Sequence, residues 1–211
     1  GGPGWLPAAT GIGIVTFVAA NVLALPQTCD RRLLGYSSVA QIGLILAVLG
    51  QRDILGESTG YVAFGLLAAH AVAKAGLYWL SDLLADRGLT TWSALRRQPL
   101  LVFAFATFLC LLVGLPPFPG FYAKWELARL LAAEGRYALL VLVLLGALVE
   151  AGYLFRWFGY AIKRETATPL AVAPTLTLVA IAVAAGAGWG LAGLWGELAG
   201  SFFGRGNLLL A

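Results

Sequence analysis

The stretch Gly114-Leu115-Pro116-Pro117-Phe118-Pro119-Gly120-Phe121-Tyr122-Ala123-Lys124 decides how this chain folds. It lies inside an apolar run, Pro99 to Ala133, that is too long for one membrane span of roughly 20 residues and barely long enough for two. Three prolines and two glycines between Gly114 and Gly120 cannot continue a helix. The amides and carbonyls released there cannot face lipid, so the break must be buried in protein or line a hydrated cavity. A kink that merely improves packing is the alternative reading. The lysine that follows Gly120 by four residues weighs against it.

Outward from the break, the rest of the chain is equally apolar. Of 211 residues, 60% are hydrophobic and only 11% charged, whereas a soluble domain is roughly 45–50% apolar and about 25% charged. This is the composition of a membrane protein, with the bilayer as its first partner. Apolar runs mark spans at Leu6 to Leu25, Leu33 to Leu49, Tyr61 to Leu84, Tyr137 to Tyr160 and Leu170 to about Leu198. Cys29 lies in a polar turn and Cys110 in an apolar run, and the one histidine is His70. These offer neither a disulfide framework nor a metal-ligand spacing, so no metal site is expected, and zinc hydrolases, iron–sulfur carriers and His-based triads are disfavoured. The chain opens Gly-Gly-Pro-Gly and contains no methionine, which reads as part of a longer protein. No signal-peptide pattern precedes the first span.

Arginine and lysine positions decide how the Pro99–Ala133 run crosses. Taken as one crossing made of two half-helices, it puts Arg31, Arg32, Arg87, Arg96, Arg97, Lys163 and Arg164 on one side, against Arg52, Arg136 and Arg205 on the other. That is the asymmetry of positive-inside orientation, and two full crossings would erase it. The expected architecture is therefore an all-α, polytopic transmembrane bundle of about six crossings, the fourth discontinuous at Pro116, Pro117, Pro119 and Gly120. Both ends would lie on the non-cytoplasmic side. Trp5 and Trp92, near span ends, fit interfacial anchoring. The net charge of +4 is an orientation signal and not a nucleic-acid signature.

Charges within the spans are the candidate functional residues. A lysine at the centre of a helix costs roughly 2.5–3.5 kcal/mol on insertion scales, so Lys124 should face the protein interior or water. Its competing reading is a lysine that snorkels to the interface beside Glu126. His70 and Lys74, spaced i, i+4, stack on one helix face and suit a proton wire; a histidine satisfied by a backbone carbonyl and a lysine reaching a headgroup is the alternative. Glu150, in the middle of its span, is either a proton site or the partner of Lys124, while Arg156 reads as an interface anchor. Tyr36, Ser37, Ser38 and Gln41 either order water between these charges or join helices by hydrogen bonds.

Three strings resemble one family. Gln27-Thr28-Cys29-Asp30-Arg31-Arg32-Leu33-Leu34-Gly35-Tyr36-Ser37-Ser38-Val39-Ala40-Gln41-Ile42-Gly43 is similar to the Q-x-D-x-K-R-x-L-A-Y-S-S-x-x-Q-x-G signature of antiporter-like membrane subunits. These occur in respiratory complex I (NADH:quinone oxidoreductase), membrane-bound hydrogenases and Mrp-type cation/proton antiporters. His70 to Tyr78 resembles the family's H-x-x-x-K-x-x-L-F helix, and Gly114 to Lys124 its G-x-P-P-x-x-G-F-x-x-K broken helix. Cys29 stands at the motif's aspartate, with Asp30 one place later, and Arg31 at its lysine.

The resemblance implies that residues 1–165 form the second five-helix repeat of such a subunit and 166–211 its final helix and C-terminal tail. It further implies that Lys124 is the broken-helix lysine of a proton half-channel, with His70 and Lys74 on the central wire. The first repeat, with its buried glutamate and second broken-helix lysine, would belong to a missing N-terminal half of the same subunit. Partner membrane subunits would supply any quinone, NADH or iron–sulfur centre, and this chain would perform no bond-making chemistry itself. The expected location is a bacterial or archaeal inner membrane. The expected function is proton translocation within a proton-pumping oxidoreductase. An Mrp-like cation/proton antiporter subunit and a non-conducting scaffold that docks a redox module are the alternatives, the scaffold depending on packing positions such as Gly76 and Gly152.

Overall fold

The computed structural model describes residues 4–84 and 86–163. This part comprises α1 Leu6–Ala24, α2 Asp30–Gly50, α3 Arg52–Leu55, α4 Ser58–Asp82, a 3-10 segment Leu89–Arg97, α5 Pro99–Val113, α6 Pro119–Ala133 and α7 Tyr137–Ile162. No strand occurs among the described residues, where Cys29 and Gly88 form an isolated bridge. Helices α1, α2, α4 and α7 are long and apolar enough to cross a bilayer, and α5 is a shorter apolar helix. The span expected at Leu170 to Leu198, with Arg164 and Arg205 of the orientation count, lies outside the described residues.

The polarity of the bundle is that of a protein solvated by lipid. Val15, Phe103 and Leu148 are 67%, 66% and 68% exposed, while Asp30, Ser37, Lys74, Glu126 and Glu150 are buried. Two apolar cores run through it. One gathers Leu33, Leu77, Trp92, Phe105 and Trp157, and the other gathers Phe17, Leu44, Val62, Leu66, Leu127 and Val143. Small residues bring α1 and α2 into backbone contact, as expected where apolar attraction between helices is weak in lipid. A Cβ at Gly13 would lie 2.5 Å from Ala47 N, one at Gly43 2.6 Å from Phe17 N, and one at Gly50 2.5 Å from Thr10 N.

The arginine-rich end is tied more tightly than the sequence suggests. Asp30, expected in the turn after the first span, begins α2 and is fully buried. Its negative charge suits a helix N-terminus, and its amide donates to Arg87 O at 2.9 Å. Its Oδ2 accepts from Ser81 Oγ at 2.6 Å and from Trp92 Nε1 at 3.3 Å. Trp92 is therefore not an interfacial anchor. It is fully buried, its ring 4.6 Å from Phe105 and 4.5 Å from Trp157, because the 3-10 segment folds under the bundle and carries the indole to a buried acceptor. Trp5, 54% exposed at the start of α1, keeps the position expected of an anchor.

The proline-rich stretch separates α5 from α6. Gly114 closes α5 in the left-handed conformation, φ 77°, with its N–H and that of Leu115 both returned to Cys110 O. Pro119 then opens α6, where its fixed φ and missing N–H cost nothing. The facing ends touch: a Cβ at Gly114 would lie 3.2 Å from the carbonyl carbon of Gly120. Helix α4 packs on both α5 and α6.

Gly76 is a packing position, since a Cβ there would run into the Phe108 ring. At Gly152 nothing among the described residues lies within 4 Å of such a Cβ, and the residue is exposed on α7. Gly43→Val should accordingly destabilise the protein by about 1–3 kcal/mol or more through overpacking against backbone. Gly152→Ala should stay within about 0.5 kcal/mol of the parent. Thermal unfolding in detergent, followed by tryptophan fluorescence, separates the two.

Candidate functional site

The break in the apolar run brings a cation and a carboxylate together. Lys124, in the second turn of α6, extends its Nζ to the carbonyl of Val113, the last residue of α5, at 2.8 Å. The same Nζ donates to Glu150 Oε2 of α7 at 3.2 Å. The Val113 carbonyl is one of those a helix C-terminus leaves without an intrahelical donor, and it carries the negative end of the helix dipole. The lysine thus sits between two negative centres, its side chain 16% exposed against 3% for Glu150.

Lys124 thus pairs with Glu150, and does not lie beside Glu126 at an interface. Glu126 instead receives Arg129 Nε and Nη2 at 2.9 and 2.7 Å, a two-pronged pair within α6. The other oxygen of Glu150 accepts from Ser37 Oγ of α2 at 3.4 Å.

A second cluster lies across α2. Lys74 Nζ donates to Leu34 O, a carbonyl that also accepts from Ser38 Oγ at 3.1 Å. Ser38 Oγ is in turn 3.3 Å from His70 Nε2. Both titratable groups are buried, so Lys74 does not reach a headgroup, and His70 is not satisfied by a backbone carbonyl: its Nδ1 has no partner among the described residues. Consecutive serines therefore serve different sides of α2, Ser37 toward α7 and Ser38 toward α4. Gln41 Nε2 donates to Leu66 O at 3.4 Å, which joins α2 to α4, while Tyr36 packs half-buried on the apolar core. Of the expected break residues, Pro116 and Pro117 lie between α5 and α6, while Pro119 and Gly120 are the first two residues of α6, where Gly120 faces Ala69 of α4 one residue before His70.

Two buried residues were not singled out from the sequence. Asn21 of α1 accepts the Tyr153 hydroxyl of α7 at 3.2 Å and donates to Phe17 O at 3.0 Å. The available signal was an amide within an otherwise apolar span. Arg156, read as an interface anchor, donates to Leu25 O and to Gln27 O, the latter at 2.8 Å, and so ties α7 to the turn that follows α1. Among the described residues no group of His, Cys, Asp and Glu is arranged to hold a metal.

A family model described as NADH:quinone oxidoreductase/Mrp antiporter, TM matches residues 3–149. The chain belongs to the NADH:quinone oxidoreductase/Mrp antiporter membrane family. Within that family it is 33% identical over 186 residues to NADH-quinone oxidoreductase subunit N 2 of Acidobacterium capsulatum, covering 82% of this chain and 37% of that protein. It is 37% identical over 165 residues to subunit N of Rubrobacter xylanophilus, covering 77% and 34%. The chain thus spans about a third of the length of these antiporter-family relatives. A chain of respiratory complex I from Thermus thermophilus with bound aureothin superposes with a TM-score of 0.67 at 27% identity, covering 88% of this chain and 43% of that one. The chain is an antiporter-like integral membrane protein.

Leu substitutions test the central pair. Lys124→Leu and Glu150→Leu each strand one charge in a largely dry site, and each should cost about 2 kcal/mol or more, discounted from the ~3–5 kcal/mol of a fully buried pair for the partial exposure of Lys124. The double variant should be more stable than either single one. Thermal melts of the purified variants in detergent read the difference.

Proposed function

We propose that this chain carries the second five-helix repeat, residues 1–165, of a proton-translocating antiporter-like subunit. α5 and α6 together make the fourth of six crossings, discontinuous at Pro116 to Gly120, with the arginine-rich end on the cytoplasmic side and both chain ends opposite. The membrane is a bacterial or archaeal inner membrane. The rest of the subunit, including the first repeat, and the partner membrane subunits supply the other half-channel and the redox centres.

The observation that carries this reading is the buried Lys124–Glu150 pair at the interruption between two helices. Taking two charges out of water costs several kcal/mol per ion, and a structural scaffold gains nothing from that cost that well-packed apolar residues would not provide. A pump needs it, because a proton moving between sites must meet groups that exchange it. In the proposed sequence a proton reaches Lys74 and His70 from the first repeat and passes by way of the Ser38 hydroxyl and intervening water. It arrives at the Lys124–Glu150 pair and leaves toward the non-cytoplasmic side. The unspent Nδ1 of His70 suits the role, since a relay must accept on one nitrogen and release from the other.

Cation/proton antiport is the nearest competitor, and it requires a carboxylate open to the cation. Both oxygens of Glu150 are taken by donors, Lys124 and Ser37, which favours proton transfer.

The test is proton uptake into inverted vesicles carrying the complete complex, scored as protons moved per electron transferred. Lys124→Ala should still assemble and should reduce the flux through this subunit about a hundredfold, the lower end of what a positioned proton-transferring side chain contributes. His70→Ala and Lys74→Ala should act in the same direction but less. Full pumping by assembled Lys124→Ala would sink the proposal and leave the scaffold reading.

A further inference from the structure

Helix α1 contains no charged residue, yet it holds a buried amide. Asn21 and Tyr153 are each only 1% exposed, and a polar group at such depth is costly unless it is hydrogen-bonded. The geometry around them is directional. Asn21 Nδ2 is committed to Phe17 O of its own helix at 3.0 Å, which turns Oδ1 toward α7, where the Tyr153 hydroxyl donates to it at 3.2 Å.

On α7, Gly146, Glu150 and Tyr153 follow the i, i+4, i+7 spacing and form one stripe, all three buried. On α1, Phe17 and Asn21 are i, i+4. The two stripes meet at both ends: the Phe17 ring occupies the space where a Cβ of Gly146 would stand, and Asn21 holds Tyr153. Glu150 lies between these two contacts. Its own bonds, 3.2 Å to Lys124 and 3.4 Å to Ser37, are at the long end of the hydrogen-bond range, so a small rotation of α7 breaks them.

We infer that Asn21 and Tyr153 are positioning residues, through which α1 fixes the rotation of α7 and so holds Glu150 on Lys124 and Ser37; the inference rests on the proton-transfer reading above. Neither residue touches the pair's charges by a hydrogen bond of its own. Each acts through Glu150, Tyr153 also through its contact with Ser37, the second donor to that carboxylate.

Tyr153→Phe and Asn21→Leu, made separately and together in the complete complex, test this. Two quantities are read: proton flux per electron, and the infrared carboxyl stretch of Glu150, identified by its absence in Glu150→Gln. Each single variant should move the Glu150 band and reduce flux roughly tenfold, as expected when a reacting group is slightly misplaced. Neither should reduce flux further in the Glu150→Gln background. An unmoved band, or the same loss of flux with and without Glu150, overturns the inference. If a single variant fails to accumulate because one buried polar group is stranded, the double variant, which removes both, replaces it and is read by the same criteria. Full pumping by Lys124→Ala overturns the proton-transfer reading itself; loss of flux in Lys124→Ala with an unmoved band in Tyr153→Phe overturns only the positioning role.

Discussion

An ammonium group and a carboxylate 3.2 Å apart inside a lipid-facing bundle set the terms for everything around them. Neither can be placed there alone. The pair persists because each member has additional partners, the Val113 carbonyl for Lys124 and the Ser37 hydroxyl for Glu150. The chain interruption is what makes the first of these available, since an unbroken helix would have spent the Val113 carbonyl on its own ladder. Proline chemistry, helix polarity and charge burial are thus a single arrangement. Removing the break would strand the lysine, and removing the lysine would leave the helix end unsatisfied.

The opposite strategy governs the arginine-rich end, where charge is used to fasten. Asp82 accepts from Arg31 at 2.5 Å and is ion-paired with Arg87 at 3.3 Å, while Arg87 donates to Ser81 O at 2.7 Å. With Asp30 holding Ser81 and Trp92, these contacts tie the start of α2, the end of α4 and the 3-10 segment into one knot. The exposed ion pairs are worth little singly in water. The buried aspartate with an indole and a hydroxyl on it is the firmer element, because its donors cannot be replaced by solvent.

The spans were legible because a bilayer demands uninterrupted apolar runs, and α1, α2, α4 and α7 start and end within a few residues of them. Lys124, His70, Lys74 and Glu150 were legible for the converse reason: a charge in such a run is expensive enough to require an explanation. Partners were harder to read. Glu150 could be read either as a proton site or as the partner of Lys124, and only the fold joins the two and turns Glu126 toward Arg129. The Asn21–Tyr153 contact joins helices far apart in sequence. Trp92 misled because a tryptophan beside arginines near a span end has the same local pattern whether it faces headgroups or lies beneath the bundle.

Adjacent serines on α2 have a mechanical corollary. Successive residues of an α-helix point about 100° apart, so Ser37 and Ser38 address Glu150 and His70 from one short piece of backbone, both in register at once. Any turn of α2 about its axis takes both hydroxyls off their targets together. The two clusters are therefore linked through one short segment of α2. The glycine seam that presses α2 onto α1 holds that segment in place.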